Sequence, residues 1–255
     1  MRLIRLPQSG LVIVLSLLLA LVSIASSAET KGVVVPSRVP TEGAEVLQYR
    51  WHLGGFLGFL AGLVLPNDGE GRLVTRQEES GRVASELLIT SKESAQGEFW
   101  SYGAEIDPGS LETLRAWSAY HWRGKSRQHE SEIKQKGVVD IASAIYRLRR
   151  DRPEGPKQMT IWSDDRLYPV IVIPRELSRH RVGDQMVAVR HYQIQGIDKP
   201  NERFWKGKLQ IWLAQDEAAT PVEIAVERSL ANVHLMLTKL PSPSHKARRG
   251  KGAPY

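Results

Sequence analysis

The chain of 255 residues contains no cysteine. That single absence removes the disulfide framework, the thiol nucleophile, the thiolate metal site and the lipid-modified cysteine of an exported lipoprotein. Other chemical signatures are missing too. The seven histidines form no HExxH or His-x-His pattern, and neither a Gly-x-Ser-x-Gly elbow nor a phosphate loop is present. No apolar run reaches the roughly 20 residues that a membrane-crossing helix needs. A composition of 42% hydrophobic and 25% charged residues excludes collagen-like, disordered and multispanning classes. Nothing that is left specifies a reaction, so the functional expectation rests on location and architecture.

What is there begins with an export pattern. Arg2 and Arg5 precede an apolar run of 15 residues, Leu11–Ala25, followed by the small residues Ser26, Ser27 and Ala28. Residues 1–28 therefore read as a cleaved signal peptide and the mature chain as periplasmic, with an N-terminal membrane anchor as the alternative. Residues 29–42 hold two prolines and no sustained period, the mark of a linker. The net charge of +7 divides unevenly. Two bases fall in the signal and four in the tail, so the body carries 29 bases against 28 acids. Residues 241–255 are expected to form a basic, disordered tail able to touch anionic lipid or peptidoglycan.

From Glu45 onward the dominant period is two. Leu47, Tyr49, Trp51 and Leu53 alternate with Val46, Gln48, Arg50 and His52, which places the large apolar side chains on one face of a strand. Similar segments recur through residues 72–134 and 159–238, separated by turn-forming pieces such as Asn67-Asp68-Gly69 and Arg123-Gly124-Lys125. Hairpins between antiparallel strands follow. About a dozen strands must curve or close to hide their edges. The expected fold is mainly β: a curved antiparallel sheet forming an open or half barrel. One stretch breaks the rhythm. Residues 138–150 repeat apolar side chains at Val138, Ile141, Ala142, Ile145 and Leu148, an amphipathic helix with Arg147, Arg149 and Arg150 at its C-terminal end. This lone helix is expected to cover the concave side. Leu53–Leu65 is apolar throughout yet broken by Gly54, Gly55, Gly58 and Gly62. It reads as a bent, buried strand hairpin, or else as a lipid-facing or ligand-facing lip.

Three pieces in order carry a family resemblance. Residues 209–216, LQIWLAQD, run through Thr220-Pro221-Val222-Glu223-Ile224 to the apolar stretch from Val233 to Leu237; Glu45–Tyr49 opens the domain; and Asp140–Arg149 supplies the helix. Residues 43–240 thus resemble the exported bacterial family called domain of unknown function 3108. The resemblance implies curved antiparallel sheets wrapped around a helix, similar in shape to lipoprotein carriers and lipocalin-like half barrels. It brings no catalytic residues. The glycine-rich stretch after Trp51 and the basic tail depart from the family pattern.

Each candidate for chemistry has a plainer structural reading. His121 and His129 flank the Gly124-Lys125 turn and meet only if the loop has three residues; a two-residue loop leaves them on opposite faces, and no metal is expected there. Asp164-Asp165 and Asp216-Glu217 read as acidic turns, because adjacent acids point apart, unlike the paired carboxylates of a glycosidase. Alternation puts Trp117 and His121 on one side of a strand and Ser118, Tyr120 and Trp122 on the other, so aromatics there line a core or a pocket. Export makes nucleic acid an improbable partner. The leading expectation is a non-enzymatic periplasmic protein with an apolar cavity for a lipid or acyl chain, lined by Leu53, Phe56, Phe59, Leu63, Trp117, Ile141 and Ile145, with no cofactor and no metal. The alternatives are a structural or adaptor protein docking another envelope protein, and a hydrolase of cell-wall polymer.

Overall fold

Period-two alternation is realised as one sheet of thirteen strands. In this computed structural model the described residues are 37–54, 68–91, 97–122, 124–198, 200, 204–228 and 231–241. The strands are β1 (Glu45–Gly54), β2 (Asp68–Gln77), β3 (Val83–Ser91), β4 (Phe99–Ile106), β5 (Thr113–Trp122), β6 (Lys125–Glu132), β7 (Val138–Val139), β8 (Lys157–Ser163), β9 (Arg166–Val182), β10 (Gln185–Gly196), β11 (Lys208–Ala214), β12 (Pro221–Arg228) and β13 (Ala231–Leu237). Their order, β6-β5-β4-β3-β2-β1-β13-β12-β11-β10-β9-β8-β7, is two antiparallel meanders joined where β1 pairs β13, with Tyr49 opposite Leu237. Only β7 runs parallel to its neighbour.

The two ends of this order, β6 and β7, are consecutive in the chain. They meet without a ladder. Ala116 of β5, Val138 of β7 and Trp162 of β8 pack with Ile133 across the gap. The sheet is therefore strongly curved but not closed, the half-open barrel that the strand count demands.

Residues Ile141–Asp151 form α1, the single helix among the described residues. The expected start at Val138 moves three residues on. Val138 and Val139, both β-branched, pair with Thr160 and Ile161, and Asp140 caps the helix: its carboxylate accepts from Ser143 N at 2.7 Å, while Asp140 N donates to Ser143 Oγ at 2.8 Å. Ile141, Ala144, Ile145 and Leu148 face the main core with Leu47, Tyr49, Leu87, Ile161, Ile211 and Leu235. Helix and sheet thus share one hydrophobic interior. Arg149, expected only to suit the helix dipole, does more: its guanidinium grips Glu45 of β1 at 2.6 and 2.8 Å and donates to the Ala218 carbonyl at 3.2 Å. Burial alone would lower its pKa, and the hydrogen bond to Glu45 overrides that and raises it. Nearby, the buried Tyr49 hydroxyl donates to the Pro221 carbonyl at 2.8 Å.

Two segments depart from their expected limits. The sequence places the start of β11 near Phe204, but it begins at Lys208, because the Trp205 ring folds back over Gly207, where a Cβ would stand 2.7 Å from it. β9 is far longer than the expected 168–173. β8 pairs it only as far as Val172, and beyond that point the β9–β10 hairpin is an arm bent over the outer face of β11–β13. His180 on the arm reaches Glu223 of β12 at 2.8 Å, and its ring lies 5.5 Å from Trp212 of β11. The second part of Leu53–Leu65, with Phe56, Phe59 and Leu63, lies outside the described residues.

Candidate functional site

Pairing registers sort the aromatics of β4–β6 by face. Trp100 stands opposite Tyr120, Tyr102 opposite Ser118, and Tyr120 opposite Arg127. With Trp122 they share the inner face. α1 packs against β3 and β4, which leaves the inner face nearer the β6 edge uncovered. A cleft of about 210 Å³ opens there, lined by Trp100, Tyr102, Tyr120, Trp122, Arg127 and Asp164. The Trp100 and Trp122 rings lie 4.7 Å apart at 37° and make a continuous aromatic wall.

The opposite wall is the β8–β9 turn. Ser163 pairs with Arg166, and between them Asp164 and Asp165 have φ of 51° and 58°. Two successive left-handed residues define the tight turn that matches strand twist, and aspartate is among the few residues besides glycine that tolerate them. The acidic-turn reading holds. It omits what the turn does next: Asp164 lines the cleft, and Asp165 accepts a short contact from His129 Nδ1 of β6 across the open seam. His129 Nε2 is shielded from solvent with no hydrogen-bond partner. Asp216, by contrast, spends both carboxylate oxygens on Thr220, at 3.1 and 3.0 Å.

The residues expected to line an apolar cavity do not gather in one place. Ile141 and Ile145 are buried in the main core, with Leu53 half-buried against it. Beneath α1, beside Ile141, Trp162 and Trp205, a space of about 10 Å³ remains, at the lower limit for one water. Trp117 lies on the opposite, outer face. Its ring covers Gly103, where a Cβ would stand 2.3 Å away, and it packs with Val39, Val74 and Ala84. There Glu86 is buried yet satisfied, by Ser37 Oγ at 2.6 Å and Ser101 Oγ at 2.7 Å. His121 and His129 fall on opposite faces, since the loop has two residues and His121 meets Ser126 instead.

Sequence reasoning missed a second polar constellation because its members come from distant strands. On the outer face Glu223 holds His180 at 2.8 Å and His234 at 3.2 Å. His191 stacks on Trp212 with centroids 4.4 Å apart, and His52 stacks on His234. Burial pushes the His191 imidazole down. The hydrogen bond to Glu223 pushes His234 up. No group of three or more histidine, aspartate or glutamate side chains among the described residues is placed to hold a metal ion.

A half-open, helix-filled β sheet with an aromatic cleft at its seam is the class of protein that fold and site define. No protein-family model matches the chain, and no curated protein does. Among solved structures it is similar to the β-barrel-like protein of domain of unknown function DUF1849 from Brucella abortus, at 11% identity and a TM-score of 0.47, over 76% of this chain and 95% of that one.

Proposed function

We propose that this is a non-catalytic binding protein of the exported compartment, whose ligand enters at the seam of the sheet. One observation carries the reading: Trp100, Tyr102, Tyr120 and Trp122 present an aromatic wall to an open cleft with Arg127 and Asp164 at its rim. Large aromatic side chains normally bury themselves, and an uncovered group with a few convergent polar groups is how ligand sites are built. The chemistry fits a ring with a flat C–H face and hydroxyl or acidic substituents, as a sugar unit of an envelope glycan has. An acyl chain needs a long apolar tube, whereas the cleft is short and rimmed with charge. Hydrolysis of a glycan needs two carboxyl groups across the bond, and Asp164 is the one carboxylate lining this cleft among the described residues. The exported location rests on Arg2, Arg5, Leu11–Ala25 and Ala28. Membership of the domain of unknown function 3108 family is part of the same proposal, and the run from β11 through Pro221 to β13 supports it.

The test is tryptophan fluorescence of the mature chain titrated with chito-oligosaccharides and, separately, with palmitate. Saccharide quenching that weakens about tenfold in Trp122→Ala, or about 1.4 kcal/mol, is the expected result. Palmitate binding without saccharide binding overturns the reading and restores the lipid carrier. A second reading, an envelope adaptor, is favoured by one observation: Leu177 and Met186 on the arm are 59% and 54% exposed. Crosslinking from Leu177 to one stoichiometric envelope protein, with no saccharide quenching, would decide for it.

A further inference from the structure

The outer face of β1–β3 carries a groove of about 460 Å³ lined by Gln48, Arg50, Glu70, Arg72, Thr90 and Thr238 over a floor that includes Leu88. It is on the other side of the sheet from the seam cleft. Pairing brings its members together: Gln48 stands opposite Arg72, Arg50 opposite Glu70, Leu88 opposite Arg72 and Thr90 opposite Glu70. The tip of the β9–β10 arm closes one end, since a Cβ on Gly183 would stand 3.9 Å from the Thr238 carbonyl.

The groove holds an unspent donor. Arg72 Nε is shielded from solvent and has no acceptor. A shielded guanidinium nitrogen without a partner costs more than an exposed one and calls for an acceptor. The two hydroxyls do not serve it: Thr90 Oγ1 donates to the Glu70 carbonyl at 3.3 Å and Thr238 Oγ1 to the Gln48 carbonyl at 2.9 Å. Three other arginines hydrogen-bond carboxylates, Arg149 to Glu45, Arg38 to Glu130 and Arg82 to Glu105. Glu70 is the one acid lining the groove among the described residues. It lies two residues from Arg72 on the same face, a spacing of roughly 7 Å between backbone positions, so an anion seated on Arg72 lies to one side of it.

We propose that this groove is an oxyanion site, in which the guanidinium groups of Arg72 and Arg50 hold a phosphate group and the Gln48 amide donates a further hydrogen bond. Guanidinium suits this ligand because its planar fork of donors matches two oxygens at once and stays charged. The same phosphate chemistry comes from a lipid headgroup or from a soluble phosphoester. The site is independent of the seam cleft, so saccharide binding can fail without touching it.

The experiment is calorimetric titration of the mature chain with inorganic phosphate and with glycerol phosphate, beside flotation with vesicles of phosphatidylcholine with or without phosphatidylglycerol. Phosphate binding that weakens at least tenfold in Arg72→Gln and tightens several-fold in Glu70→Gln supports the site and a soluble source. Flotation that needs phosphatidylglycerol and is lost in Arg72→Gln, although the basic tail is intact, supports the site and a headgroup source. Arg72→Gln is checked for an unchanged melting temperature, and Glu70→Gln gives an independent readout in the opposite direction. Absence of both kinds of binding, or binding indifferent to both substitutions, overturns the proposal.

Discussion

Two stretches of the same concave face are built from similar residues and end up doing different things. Along β1–β3 and β8–β13 the inward side chains, such as Tyr49, Leu87, Ile161 and Ile211, close on α1 and are nearly inaccessible. Towards the β6 edge the inward Trp100, Tyr120 and Trp122 lie past the part of β4 that α1 covers, where Tyr146 packs on Ala104 and Ile106, and they border a cleft. Residue type is not what separates core from site here. Cover is: α1 is 11 residues long, about 16 Å at the usual rise, and it cannot span the inner face of thirteen strands.

The largest effect that tests this contrast is on stability. Ile145 is fully buried at the centre of the filled stretch, so Ile145→Ala should cost about 2–5 kcal/mol through lost burial and the cavity left behind. Trp122→Ala in the open stretch should cost under about 1 kcal/mol while removing most saccharide quenching. Urea unfolding of the two variants measures both. Equal losses would show that the cleft aromatics are core after all.

Asp164→Gly is the next step down. Glycine adopts the left-handed φ of 51° without strain, so the β8–β9 turn should survive with its melting temperature within a few degrees. The rim carboxylate is gone. A several-fold weaker saccharide affinity is expected, and an unchanged one would remove Asp164 from the site.

Much of this contrast was legible in the sequence in pieces. Alternation put Tyr120 and Trp122 on the face opposite Trp117 and His121, and the registers agree. The acidic turns at Asp164 and Asp216 were readable because turn chemistry is local. The helix was readable from its period, though not the exchange of Val138 and Val139 to a strand. Three things lay out of reach. That Trp100 and Trp122 would become neighbours depends on register across β4 and β5. That α1 would stop short of them depends on how the sheet curls. The arm was invisible because the side that faces the sheet presents polar His180 and the rest of Arg175–Arg181 is exposed, so no apolar alternation marks it as strand.

The smallest effect concerns the ground on which that arm rests, the Glu223–His234 pair of β12 and β13 that His180 of the arm touches. His234 is held above its ordinary value of 6.5 by its hydrogen bond to Glu223, with Glu227 adding to it. Its contribution is therefore full below 6.5 and fades as the pH rises through the raised value. For Glu223, burial alone would raise the carboxyl, but the hydrogen bond from His234 and the charge of His180 bring it below 4.5. That contribution is full above 4.5 and is lost as the pH falls through the lowered value. His191, stacked on Trp212 and lowered by burial, with Arg175 and His180 adding to the effect, favours the folded sheet at higher pH and opposes it once protonated. The first two contributions coincide between the ordinary values of 4.5 and 6.5, where the Glu223–His234 pair beneath the arm is firmest. Amide exchange at Val187–Val189, corrected for intrinsic rates, should be a few-fold slower at about pH 5.5 than at about pH 8. Glu223→Gln should abolish the difference, because a neutral amide gains nothing from the imidazolium. If exchange stays pH-dependent in that variant, the histidines do not act through Glu223, and the arm is held by Val182, Val187 and Val189 packed against the core instead.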